Sequence, residues 1–296
     1  MWIPITLLAA TFQILRTSRQ HTLQSVLSTN AAGFVRYLYG APMAWITAAV
    51  TFGVLGRAVP SIPPRFWLIV TAAGIAQIAA TIALLKAFTL RDFALGTVYS
   101  KTEVIQVAVF SAIVLGESLE PLGWLGAVAC TAGIVWLAAR GSVGTLLRRA
   151  GDPAALMGIV AGGLFGVAAV GIRAASSSLG DGPAWDRALV TLTVMLTIQL
   201  LLNGGQLAAA QPKELVATFH HWRDELPVGV LSLAGSAAWA LAVTLENAAK
   251  VRTLGQVEML IAFVVARIRF GEHHTRAEAY ASASVAVGIA MVIALG

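Results

Sequence analysis

Apolar residues run along this chain in blocks about 20 long, without the alternation of a strand or the single stripe of a surface helix. Ten blocks stand out: residues 2–15, 31–56, 66–88, 94–115, 121–139, 154–173, 186–209, 227–247, 251–270 and 277–295. A helix needs about 20 mostly apolar residues to cross a bilayer. The pattern predicts an all-α integral membrane protein with ten transmembrane helices. Ten such spans use about 200 residues, so the expectation is short connections and no soluble domain. The first block lacks a basic start and a small-residue cleavage site, and it reads as a helix, not a signal peptide.

Punctuation fits these boundaries. Pro121, Pro153 and Pro227 stand where spans five, six and eight begin, where a missing N–H costs nothing. Pro60, Pro63 and Pro64 break the chain before span three, and Pro42 should kink span two. Trp2, Trp67, Trp124, Trp185 and Trp222 fall near span ends, as an interfacial belt places them. In Pro212–Leu226, the residues Leu215, Phe219, Trp222 and Leu226 recur at helical spacing with Lys213, His220 and Arg223 between them. This segment predicts a short helix lying on the membrane surface.

The chain repeats itself at an offset of 155 residues. Trp67 matches Trp222, Gly74 matches Gly229, Thr89-Leu90 matches Thr244-Leu245, and Glu103 matches Glu258. Gly116-Glu117 matches Gly271-Glu272, and Gly133-Ile134 matches Gly288-Ile289. Each copy holds five spans. Five is odd, so the second copy must enter the membrane inverted. Residues 1–140 and 154–296 then form two inverted five-helix repeats, joined by 141–153. Inverted repeats meeting at the midplane are an architecture of secondary transporters.

Composition agrees. The chain is 58 % hydrophobic and 11 % charged, with a mean hydropathy of +0.80, against about 25 % charged in a soluble domain. That excludes soluble and disordered classes. The net charge is +6, but the basic residues are scattered between apolar runs. They suit loops held against lipid headgroups and give no nucleic-acid stripe. Cys130 is the one cysteine, so an internal disulfide is excluded.

The stretch Ala87–Glu117, with Glu103 followed 13 residues on by Gly116-Glu117, resembles the EamA repeat of the drug/metabolite transporter superfamily. The second copy, Leu254 to Glu272, resembles it too. Arg36 sits where that family usually carries an arginine early in its second helix. The chain departs from the family where Val104 and Met259 replace a frequent proline, and where Ala10-Thr11-Phe12-Gln13 replaces an early Trp-Gly. The resemblance implies a carrier of small organic metabolites, commonly amino acids and usually exporting, in a bacterial-type cell inner membrane, with no cofactor.

An ionised side chain at the bilayer centre costs about 2.5–3.5 kcal/mol, so such residues are candidate sites. Glu103 and Glu258 lie mid-span. Each could bind an ammonium group or hold a proton, or the carboxylate could form a buried ion pair that only fastens helices, with Arg36, Lys86 or Lys101 as partner. Tyr99, Glu103 and Gln106 share one helical face and could offer a ring, a charge and an amide to one ligand. Trp239 lies deep in span eight and could stack on an organic cation or simply pack. Gln77 in span three and Arg36 complete the candidate set, and Gln13 and Arg16 could face the same space. Glu117 and Glu272 fall at span ends and suit a helix-end role. Gly158, Gly162 and Gly166 form a ridge for close packing. The histidines lie in or near loops, with no metal spacing.

The function expected is a permease moving an amine-bearing or amino-acid-like metabolite by alternating access. A proton-coupled multidrug or cation exporter is the alternative within transport. A polytopic enzyme acting on lipid is the alternative of another class. Ten spans put both termini on one side. Loop charges favour the outside and the resemblance favours the cytoplasm.

Overall fold

The computed structural model describes residues 1–23, 27–90, 99–138, 144, 148, 151–220, 222–261 and 275–296. Among them all regular structure is helical. The α-helices are α1 (Trp2–Leu23), α2 (Thr29–Ala48), α3 (Pro64–Leu90), α4 (Glu103–Phe110), α5 (Pro121–Ala138) and α6 (Pro153–Ser178). They continue with α7 (Ala184–Ala210), α8 (Pro212–His220), α9 (Trp222–Leu245), α10 (Ala248–Gly255) and α11 (Arg276–Leu295). Among the described residues five stretches are long and apolar enough to cross a membrane: Pro64–Ala87, Pro153–Ser178, Ala184–Ala210, Trp222–Leu245 and Ala277–Leu295. Arg91, Arg140, Arg149, His221, Arg267, Arg269, Glu272, His273 and His274 lie outside the described residues.

Local chemistry sets the helix ends. Pro64, Pro121, Pro153 and Pro212 each open a helix. Ser28 caps α2 by accepting the Ala31 N–H (3.3 Å), and Thr275 forms a reciprocal capping box with Glu278. The ends of two apolar runs widen into π-helix, Ala49–Val54 after α2 and Ser111–Leu115 after α4. Gly56 (φ 64°) and Gly116 (φ 70°) terminate them in the left-handed region, where a side chain would be strained. Along the helices Thr6, Thr131, Thr191, Thr244 and Thr253 donate their hydroxyls to the carbonyl four residues back. Polar groups are thereby satisfied inside apolar segments.

One sequence expectation changes here. The surface segment is split: α8 ends at His220, and Trp222–Leu226 belongs to α9, which runs through Pro227. The proline lies close enough to the helix start that it deletes only one intrahelical bond.

The chain forms two compact units, Met1–Ile78 with Gly171–Glu246, and Ala79–Val170 with Asn247–Gly296. In the first unit α2 and α7 pack antiparallel, with Gly40 against Leu196 and Gly204 against Phe34. Gly74 of α3 meets Met195 and Gln199 of α7, while its repeat partner Gly229 of α9 meets Tyr39 of α2. Arg173 of α6 donates to the carbonyls of Val243 (2.8 Å) and Glu246 (2.7 Å) and satisfies the end of α9.

In the second unit α5 and α11 pack antiparallel through glycine. A Cβ on Gly133 would lie 2.7 Å from the Ala281 carbonyl, and one on Gly288 would lie 2.5 Å from the Gly126 carbonyl. Gly133 and Gly288 are 155 residues apart, as are Gly126 and Ala281. The two contacts are therefore one contact with the copies exchanged. Gly133 with Val285 and Gly288 with Cys130 form a second exchanged pair. Between them Ser284 donates to the carbonyl of Ala129 (3.0 Å), its own partner at the 155 offset. The helix pair thus has a local two-fold relation, which is the geometry of an isologous contact.

Asn247 opens α10. Its side chain accepts the Ala249 N–H (2.7 Å) and donates to the Glu117 carbonyl (3.1 Å). Asn247→Ala is expected to cost about 1–2 kcal/mol of stability, read as a lower melting temperature. An unchanged melting temperature would show that the cap contributes nothing.

Candidate functional site

Spans four and nine are not the even helices that their apolar runs predict. Residues 99–100 are helical, 101–102 form a turn, and α4 starts at Glu103. In the second copy α10 ends at Gly255, Gln256 is a turn residue, and residues 257–261 are helical again. Both turns are tightened by bonds to the third residue back. Val104 N–H donates to the Lys101 carbonyl (3.4 Å) and Met259 N–H to the Gln256 carbonyl (2.9 Å). Positions 101 and 256, like 104 and 259, are 155 apart, so the irregularity recurs at the same place in both copies. Short 3₁₀ turns inside helices often mark hinges, and interrupted membrane helices are where transporters place ligands.

Glu103 and Glu258 stand just beyond these turns. Glu103 accepts from Arg252, with Nε at 2.5 Å and Nη2 on the same oxygen. Glu258 is ion-paired with Lys101. Each glutamate is thus neutralised by a cation from the other copy. The reason lies in helix geometry. Lys101 and Glu103 are two residues apart and point to different faces; Arg252 and Glu258 are six apart, about 9 Å along an axis. Lys101 cannot pair with Glu103, nor Arg252 with Glu258, and cross-pairing satisfies all four. The side chains of Glu103, Glu258, Lys101 and Arg252 keep 10 %, 13 %, 14 % and 17 % of their exposure, so the quartet is sheltered yet reachable.

Of the three cations considered, Lys101 is a partner, but of Glu258; Glu103 pairs with Arg252. The face shared by Tyr99, Glu103 and Gln106 is also revised. Tyr99 is buried ahead of the tightened turn, and its carbonyl accepts the Thr102 hydroxyl (2.6 Å). Gln106 donates to Thr102 Oγ1 (2.8 Å) and to the Ile159 carbonyl of α6 (3.3 Å). The turn changes the angular step of the helix, and the Gln106 amide is spent on packing. The glycine ridge of α6 meets this same segment: a Cβ on Gly162 would lie 2.6 Å from the Ser100 carbonyl and 3.2 Å from Glu103 N. Small residues on α6 thereby set the backbone of Glu103.

The other candidates lie in the first unit. Trp239 donates to Gln13 Oε1 (3.1 Å) across α9 and α1. Gln77 accepts from Gln199 (2.7 Å), a fully buried residue that also donates to the Gly74 carbonyl (3.3 Å). Arg36 is half-buried, with its guanidinium 5.8 Å from the centre of the Tyr37 ring. Among the described residues no group of three or more His, Cys, Asp and Glu could hold a metal.

Residues 1–139 match the model of the EamA-like transporter family. A curated protein of Sinorhizobium sp., described as an uncharacterized transporter in the cobO 3′ region, is 36 % identical over 77 residues. That match covers 26 % of this chain and 55 % of the relative, so the aligned part spans about half the relative's length. One solved crystal structure of a protein superposes with a TM-score of 0.70 at 17 % identity, covering 98 % of this chain and 95 % of its own. At that identity the likeness is one of fold alone. The family match and the long apolar helices make this a multi-pass membrane protein. The likeness to the EamA-like transporter family therefore rests on residues 1–139.

Proposed function

We propose that the chain is a secondary transporter, not an enzyme, and that it moves an amino-acid-like metabolite across a bacterial-type inner membrane by alternating access, in the direction of export. The carrying observation is the neutral quartet Lys101, Glu103, Arg252 and Glu258, set at matched tightened turns in the two copies. A ligand with both an ammonium and a carboxylate can exchange partners with such a quartet without leaving a charge unpaired. The ammonium takes a glutamate and the carboxylate takes Arg252 or Lys101. A ligand bearing only positive charge would strand a cation, so the quartet favours a zwitterion over a cationic drug.

Ten spans in two inverted halves, 1–140 and 154–296, form the framework of this reading. The exchanged contacts of α5 and α11 support it. So does the irregularity shared by positions 101 and 256. Proteoliposome flux with a panel of amino acids, simple amines, quaternary ammonium ions and neutral metabolites tests the substrate class. Uptake or efflux of amino acids, with little movement of amines lacking a carboxylate, is the expected result. Preference for quaternary cations with a pH gradient would favour the proton-coupled exporter instead.

A further inference from the structure

Glu225 lies in the first turn of α9, three residues after the half-exposed Trp222, and is itself fully buried. Protein atoms, not lipid, bury it. Both of its carboxylate oxygens are inaccessible, and the polar group set against them is the neutral Tyr39 hydroxyl. A native carboxylate buried against a neutral hydroxyl calls for an explanation, because an ionised one there is far costlier than a neutral acid. With 24 residues, α9 is about 36 Å long against a hydrocarbon core of about 30 Å, and the half-exposed Trp222 beside Glu225 is the kind of side chain that marks an interface.

Among the described residues the surroundings offer no counter-charge in hydrogen-bonding position. On its own turn, Asp224 is exposed and the Arg223 guanidinium lies 5.4 Å from the Trp222 ring centre. From α2, Tyr39 flanks the carboxyl and gives its hydroxyl to the Thr218 carbonyl (3.5 Å), while Arg36 lies over Tyr37. From α8, Glu214 accepts the Ser28 N–H (2.9 Å), His220 is exposed with Nδ1 at the Val216 carbonyl (3.0 Å), and Lys213 is exposed. From α1 the charged groups are Arg16 and Arg19, and from α7 they are Arg187 and Asp186, the latter ion-paired with Arg57 (2.9 Å). A proton on Glu225 removes the unpaired charge and supplies a donor for the Tyr39 oxygen.

We propose that Glu225 is a proton-binding site that holds the α8–α9 corner against α2: protonated, the side chain packs as seen, and it gives its proton to water only when the corner opens. The site is separate from the quartet and does not depend on the transport reading. It is tested on purified, unliganded protein. Infrared difference spectra at neutral pH should show a carboxylic-acid C=O band that Glu225→Gln removes and Asp224→Asn leaves. Tyr39→Phe should shift that band by taking away its acceptor. Because the folded state binds this proton more tightly than the unfolded chain, the wild-type melting temperature should fall as pH rises. Glu225→Gln, which mimics the neutral acid, should flatten that dependence without lowering the acid-side melting temperature. Two results would overturn the proposal. One is a spectrum with no acid band assignable to Glu225. The other is a Glu225→Gln protein destabilised equally at every pH. Should Glu225→Gln fail to accumulate, the Tyr39→Phe band shift alone decides.

Discussion

Glu103→Gln is expected to abolish flux and to lower the melting temperature, and these two losses are separable. Glutamine keeps the shape but leaves the Arg252 guanidinium without its anion. Breaking a fully buried pair in this way costs about 3–5 kcal/mol. The pair keeps some exposure, so about 1–3 kcal/mol is the reasonable range after screening. The double variant Glu103→Gln with Arg252→Gln removes both charges and should recover most of that stability. It should not recover transport. A hydrogen bond to a charged group contributes about 1.5–3 kcal/mol, so losing it from a bound ligand weakens recognition about tenfold to a hundredfold. Glu258→Gln, alone and with Lys101→Gln, should follow the same pattern with a smaller loss of stability. Lysine offers a single mobile point charge where Arg252 holds two nitrogens on one oxygen. Wild-type flux in either double variant would reduce the quartet to a helix fastening and remove the basis for a zwitterionic substrate.

The apolar runs were legible because most are near the length that a bilayer-crossing helix needs, and proline marked four helix starts. What the runs conceal is interruption. Spans four and nine read as uniform helices, since neither Lys101-Thr102 nor Gln256 carries a glycine or proline to announce a turn. In span four the turn lies where Gly162 of α6 brings its backbone close to Ser100 and Glu103, a contact that the sequence of span four alone does not announce. The start of α9 was hidden for the opposite reason. Pro227 looks like a helix opener, yet it sits near enough to the end to be absorbed inside one.

At the site, duplication singled out Glu103 and Glu258, and their counter-charges could have been found by the same route. A membrane span that carries one acid and one base on different faces must look to another span for neutrality. Spans four and nine carry the matched glutamates, each with a base nearby in sequence that lies on another face, which points from Glu103 to Arg252 and from Glu258 to Lys101. Glu225 gave no such signal. It stands beside Arg223 and Asp224 in a polar stretch, and only the fold reveals that its neighbours face outward while it faces protein.

Gly288→Ala, the addition of one methyl group, is expected to be among the most damaging small changes in the molecule. Its Cβ would lie 2.5 Å from Cys130 N, 2.5 Å from the Gly126 carbonyl oxygen and 2.8 Å from Cys130 Cβ. Two of these three atoms are backbone, so no rotamer change can relieve them, and α11 must move off α5. Overpacking of a rigid core costs about 1–3 kcal/mol and sometimes more. Lipid tails are as apolar as the side chains, so helix association rests on the close packing that this shift destroys. Gly133→Ala should cost a similar amount, since it meets the Ala281 carbonyl (2.7 Å), Val285 Cγ2 (2.7 Å) and Val285 N (2.9 Å) in the exchanged arrangement. The double variant should cost less than the two single losses added together: once one methyl group has parted the helices, the other finds room. Gly33→Ala and Gly205→Ala are the controls, because nothing lies within 4 Å of a Cβ at either position. Thermal unfolding of the purified proteins reads all five variants. A Gly288→Ala protein that melts with the wild type, or two losses that simply add, would mean that α5 and α11 do not share the close two-fold contact described above.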